Sequence, residues 1–159
     1  MGDKIQLKTT LYHKVIFILS VCIIVGTFLY LFIVWSQLPD KVPGHFNGAG
    51  EIDRWGSKYE LIAIPIISLF MFLGISLMEK YPSAWNTGVT VTEENKERVY
   101  REVKNMIVTL KLLIPLTFTF ITVYSSLAIP LPSWFLPVDL TLIFGSMIYF
   151  LLQIYRRSK

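Results

Sequence analysis

From Val15 to Trp35 the chain runs for 21 residues without a charge, and no other feature restricts its folding as severely. A segment of that length and character is what carries a helix across a bilayer core, which takes roughly 20 apolar residues. A second run, Leu61 to Met78, covers 18 residues between Glu60 and Glu79. A third covers 25 residues from Leu112 to Leu136, although Pro130, Pro132 and the interfacial pair Trp134 and Phe135 place its helix end near Ile129. A fourth, Leu140 to Tyr155, follows Pro137-Val138-Asp139, where proline suits a first turn and the carboxylate opposes the positive helix end. Composition agrees: 53% of the 159 residues are hydrophobic and 16% charged, against about a quarter charged in a soluble domain. We therefore expect an all-α polytopic membrane protein, a single domain over residues 1–159 with four transmembrane helices at about 15–35, 61–78, 106–129 and 138–155.

Four spans put both termini on one side, and the basic residues choose which. The N-terminus, second loop and C-terminus carry 11 Lys and Arg, among them Lys4, Lys14, Lys80, Arg101 and Arg157. The first loop carries 3, Lys41, Arg54 and Lys58, and the third loop none. The positive-inside rule then predicts cytoplasmic termini (N-in/C-in), an outward loop at 38–58, and a cytoplasmic loop with a helix extension at 79–105. The net charge of +4 meets anionic headgroups in this arrangement. No basic, aromatic-interleaved patch suggests nucleic acid as a partner. The single Cys22 excludes an intrachain disulfide and reads as a buried, inert thiol. Bulky Val21 before it and the apolar run after it argue against lipidation, and that run is too long for a signal peptide.

The outward loop concentrates the polar chemistry. Pro39 and Pro43 fix backbone angles, and Asn47, Gly48 and Gly50 tolerate positive φ, so an ordered series of turns is expected. Asp40, His45, Asn47, Glu51, Asp53, Arg54, Ser57 and Lys58 form its polar set. Two readings stand. One imidazole and several carboxylates can converge on a cation, although the spacing matches no standard metal motif. Alternatively the loop caps itself while Phe46, Ile52 and Trp55 anchor it at the lipid interface. The second reading is favoured, and no metal or cofactor is expected.

The stretch Leu38-Pro39-Asp40-Lys41-Val42-Pro43-Gly44-His45-Phe46-Asn47, followed by Gly50-Glu51-Ile52-Asp53-Arg54-Trp55-Gly56-Ser57-Lys58, resembles the signature of a bacterial membrane domain of unknown function. A second family-like stretch runs from Asn86 to Asn95 and includes Thr92 and Glu93. The resemblance covers about Leu11 to Met106. The same domain forms the N-terminal part of SdpI/YfhL-like immunity proteins, which protect a producing cell from its own sporulation-delaying peptide toxin and carry further transmembrane helices after it. The resemblance implies a multi-pass protein of the bacterial cytoplasmic membrane with no established catalytic mechanism. Its partners would be the bilayer, a peptide toxin or membrane protein outside, and a cytoplasmic regulator, since SdpI-like proteins are thought of as receptors that hold a repressor at the membrane.

Thr92 followed by Glu93 and Glu94 reads as an N-cap with an acidic first turn. Glu94 with Arg98 and Glu97 with Arg101 are favourable i,i+4 pairs, and Val99, Val103, Met106 and Leu110 form a stripe running into span three. A single helix from about Glu93 to Ile129 is expected. Lys111 interrupts its apolar part about one turn inside the interface and is expected to snorkel to the headgroups, a buried functional charge being the alternative. Pro115 frees a carbonyl near it. Asp139 lies at the outer end of span four, within possible reach of Lys41, Arg54 or Lys58.

An intramembrane enzyme needs a nucleophile with its base, paired carboxylates, or metal ligands at bilayer depth, and only a Ser/Lys pairing through Lys111 is conceivable here. We expect no catalytic residues. A small transporter or channel subunit would require oligomerisation to build a path. The reading that fits best is a receptor, immunity or accessory factor binding a peptide, lipid or membrane partner through the 38–58 loop.

Overall fold

Each apolar run forms one long helix, because a backbone without water around it must satisfy its amides internally. The computed structural model describes residues 7–159, so Lys4 lies outside the described residues. It contains α1 (Leu11–Val34), α2 (Glu60–Glu79), α3 (Lys96–Ser126) and α4 (Phe135–Ser158), four helices long and apolar enough to cross a membrane.

Local chemistry moves the helix ends away from the limits of the uncharged runs. Helix α1 begins at Leu11, ahead of Lys14, because Thr10 and His13 form a capping box: Thr10 Oγ1 accepts from the His13 amide, and His13 Nδ1 accepts from the Thr10 amide. Helix α3 starts at Lys96 instead of Glu93. Ahead of it, Thr92 Oγ1 accepts from the Asn95 amide at 3.3 Å and Asn95 Oδ1 accepts from the Thr92 amide at 2.8 Å, a reciprocal pair that shapes the entering turn. Helix α3 passes uninterrupted through Pro115 and stops at Ser126, short of Ile129. There Ala128 adopts φ 55°, its amide donates to Ser125 O, and the Ile129 amide donates to Tyr124 O, the Schellman pattern. Pro130 holds Ile129 out of the helical region and makes the stop sharp. Helix α4 extends beyond the expected 138–155 at both ends.

Helix α3 packs against each of the other three. Side-chain hydrogen bonds join it to α1 along most of their length: His13 to Asn105, Tyr12 to Thr109, Thr27 to Thr119 and Tyr30 to Ser126. Tyr12 and His13 meet 105–109 while Thr27 and Tyr30 meet 119–126, so α1 and α3 run parallel. At about 0.6 kcal/mol per bond between membrane helices, this ladder contributes roughly 2 kcal/mol. Asn95 Nδ2 donates to Ser158 O at the end of α4, so α1 begins and α4 finishes at the same end of the bundle, the basic end. The opposite end carries the 38–58 segment.

The bundle buries polar groups among apolar ones and turns large apolar side chains outward. Ser20, Thr27, Ser68, Lys104, Lys111 and Thr122 are buried, whereas Phe32 is 82% exposed and Phe70 69%. A lipid solvent demands that distribution, because apolar faces cost nothing in hydrocarbon while polar groups do. The expected stripe on α3 is only half followed: Val99 and Val103 are buried, then the buried face continues through Val108, Lys111 and Pro115. Cys22 is exposed on this outer surface and is not the buried thiol expected.

The architecture is not all-α. Residues 41–57 fold into an antiparallel hairpin of β1 (Lys41–Phe46) and β2 (Ile52–Ser57), where a series of turns was expected. The register pairs Lys41 with Ser57, Val42 with Gly56, Pro43 with Trp55 and His45 with Arg54, and it shifts on either side of His45. Those irregularities break the two-residue alternation that identifies a strand, and they allow Pro43 to sit inside one.

Candidate functional site

The hairpin is seated by its base and closed by its tip. Val42, Leu38, Leu31 and Leu61 form a buried cluster that fixes β1 against the end of α1 and the start of α2. At the tip Asn47 Oδ1 accepts from the amides of Ala49 and Glu51, Asn47 Nδ2 donates to Glu51 Oε2 at 2.9 Å, and the Gly50 amide donates to Asn47 O. One side chain thus closes the whole turn. Gly50 then docks the tip onto the α3–α4 connection, its carbonyl accepting from the Leu131 amide at 2.9 Å. With φ +84° and the Leu131 carbonyl 2.5 Å from where a Cβ would stand, only glycine fits there.

The remaining signature residues pair among themselves. His45 Nδ1 and Asp53 Oδ1 are 2.7 Å apart across the strands, Lys58 and Asp40 3.2 Å, and Arg54 donates to both Glu60 and the Gly44 carbonyl. Ser57 Oγ accepts from the Tyr59 amide, ordering the entrance to α2. Such exposed ion pairs contribute at most about 1 kcal/mol each, so they set the shape of the loop more than its stability. Pro39 is exposed and Pro43 buried, while Trp55 stands 52% exposed on the outer face. Among the described residues no three His, Cys, Asp or Glu side chains gather as a metal-binding group.

Beneath the hairpin lies a cavity of about 470 Å³. Residues Gly44 to Gly50 of the hairpin line it on one side, with Ile64, Ile121, and Phe135 and Leu136 of α4 on the others. Its lining is mostly apolar with one exception of consequence. Ser125, only 1% exposed, presents an Oγ that has no hydrogen-bond partner. An unpaired buried hydroxyl costs about 1 to 3 kcal/mol. Ser125 was missed at the sequence level because it resembles any other serine in a membrane helix.

The second motif organises the opposite end. Asn86 Oδ1 accepts from the Gly88 amide, Glu93 pairs with Lys96, and Asn95, 5% exposed, bonds Thr90 and Ser158 carbonyls besides Thr92. These residues stitch the α2–α3 connection to the end of α4. Of the two expected helix-surface pairs, Glu97 with Arg101 is formed. Lys111 does not snorkel: it is 3% exposed, its ammonium bonds Glu79 of α2, and it lies 5.4 and 5.7 Å from the ring centres of Phe17 and Phe72. Glu79 also lies 3.9 Å from Lys104. Asp139 reaches none of Lys41, Arg54 or Lys58. Its carboxylate accepts from Thr117 Oγ1 at 2.6 Å within the α3–α4 contact, because its position in the first turns of α4 points it at α3. The hairpin nevertheless covers that end of the bundle, through Gly50 and Leu131. His13 was overlooked: with Nδ1 accepting from Thr10, Nε2 carries the proton and donates to Asn105.

Residues 22–69, from the middle of α1 through the hairpin to the middle of α2, match a family described as a domain of unknown function, DUF1648. An uncharacterized protein of Archaeoglobus fulgidus is 36% identical over 81 residues, a match that spans 46% of this chain and 44% of that protein. No solved structure matches the chain. The chain is thus similar, over its hairpin and the helices flanking it, to a membrane-type helical domain whose function has not been assigned.

Proposed function

We propose that this protein is a membrane receptor of the SdpI-like type, lying N-in/C-in in the cytoplasmic membrane and binding an apolar peptide in the cavity beneath its outward hairpin. The observation that carries the reading is a largely apolar cavity of about 470 Å³ beneath the hairpin, lined among others by Ser125, whose buried hydroxyl has no partner. A small number of placed polar groups in an apolar recess is the usual make-up of a binding site. The hairpin lines it with residues 44 to 50, whose shape depends on Asn47 and Gly50. The distribution of basic residues supports the orientation, with 3 on the hairpin side.

The role is one of binding and not catalysis. Lys111, the base a Ser/Lys pair would need, is engaged by Glu79, and Ser76, the serine beside it in the same groove, makes no hydrogen bond to it. The test exposes cells with and without the gene to the sporulation-delaying peptide. Protection is expected with the gene and is abolished by Asn47→Ala with Asp53→Ala and Trp55→Ala, while the protein still reaches the membrane. Equal sensitivity with and without the gene rejects the immunity role.

A further inference from the structure

A second recess lies at the basic end, between the start of α1, the end of α2 and the first half of α3, with a volume of about 560 Å³. Its charge is one-sided: Lys14, Lys80, Lys104 and Lys111 are among the residues that line it, with Glu79 as the single carboxylate. That carboxylate is already taken by Lys111 and approached by Lys104. Lys14 and Lys80 have no ion-pair partner among the described residues. Ser76 lines the same recess, and its buried Oγ has no hydrogen-bond partner. The recess therefore holds two lysines, Lys14 and Lys80, whose charge no carboxylate among the described residues answers, and an anion would supply that partner.

A phosphate diester meets that demand, offering a delocalised negative charge and several acceptor oxygens to charge-assisted hydrogen bonds. The rest of the recess says what else the ligand carries. Phe17 and Ile18, which also line it, are 46% and 58% exposed on the outer face of α1, where acyl chains would run. We propose that this groove is a specific site for the phosphate headgroup of an anionic phospholipid, with its chains along α1. The site is separate from the hairpin cavity and independent of any peptide bound there.

Full-length protein released from detergent micelles into native mass spectrometry, with phosphatidylglycerol or phosphatidylcholine supplied, tests the site. Phosphatidylglycerol is expected to be retained in preference, with retention falling about tenfold or more in Lys14→Gln/Lys80→Gln. Both lysines are exposed, so the buried Lys111–Glu79 pair is untouched by the change. Arg156→Gln/Lys159→Gln, which removes charge at the same end but outside the groove, is expected to leave retention unchanged. Absence of a preference for phosphatidylglycerol, or equal loss in the two double variants, overturns a specific site. Displacement of the lipid by millimolar inorganic phosphate overturns the lipid assignment and makes the free anion the ligand.

Discussion

The two ends of the bundle hold their polar groups in opposite ways. At the hairpin end the charges sit outside and satisfy one another, as His45 with Asp53 and Arg54 with Glu60, leaving an apolar cavity with a single unpaired hydroxyl. At the basic end the charges are inside: Lys111 and Lys104 are buried against Glu79, and the recess they line carries four lysines against one carboxylate. The comparison teaches that helix ends at the same nominal depth can present different chemistry, set by whether a separate element covers them. The space beneath the hairpin has no lysine in its lining and suits an apolar guest, whereas the groove between helices carries four and suits an anion.

The largest effect that would break this contrast is expected from Glu79→Gln. Removing one partner of a buried ion pair strands the other charge, at a cost of about 3 kcal/mol, read as a lower thermal midpoint in detergent. Glu79→Gln/Lys111→Met should recover most of that loss, since neither charge then remains; no recovery would mean that Lys111 acts other than through Glu79. Next comes Gly50→Ala, expected to cost roughly 2 kcal/mol through left-handed strain and collision with the Leu131 carbonyl. Hydrogen exchange should rise at the Leu131 amide and stay unchanged at Asn95, and a rise at both would show that the two ends are not independent.

A smaller change of the opposite sign is expected from Ser125→Ala. Deleting an unsatisfied buried hydroxyl should leave the unliganded protein as stable or more stable by up to about 1 kcal/mol, while peptide protection falls. Destabilisation would reveal a partner for Ser125 and weaken its assignment to the cavity. Ala128→Gly is expected to have the smallest effect, a gain of about 0.5 kcal/mol from relief of the positive φ, partly offset by greater unfolded-chain freedom.

Much of the membrane architecture was legible along the chain because a bilayer imposes a one-dimensional rule: length without charge. The helices around Val15–Trp35 and Leu61–Met78 follow from it directly. Where hydrogen bonds between neighbouring residues decided an end, the sequence offered signals of uneven strength. Thr92 read as the cap of α3, but the helix begins at Lys96 after an N-cap at Asn95 and Thr92 shapes only the turn before it; Thr10 with His13 was not readable, since histidine is an uncommon partner in a capping box. The hairpin escaped because Pro43 and the shifts around His45 hide strand periodicity under turn-forming residues. Those same turn residues did mark 38–58 as ordered, and its polar groups do cap one another.

By itself the sequence determined the solvent of the protein, the number of helices suited to crossing it, and the segment between the first two where polar chemistry is concentrated. These are consequences of composition and local spacing, which act along the chain. Tertiary structure alone decided the partners: Lys111 with Glu79, Asp139 with Thr117, Gly50 with Leu131. It alone left Ser125 and Ser76 without any. The physical reason is that a buried group is answerable to whatever the fold brings beside it, and residues far apart in sequence meet only once helices have chosen their neighbours and faces.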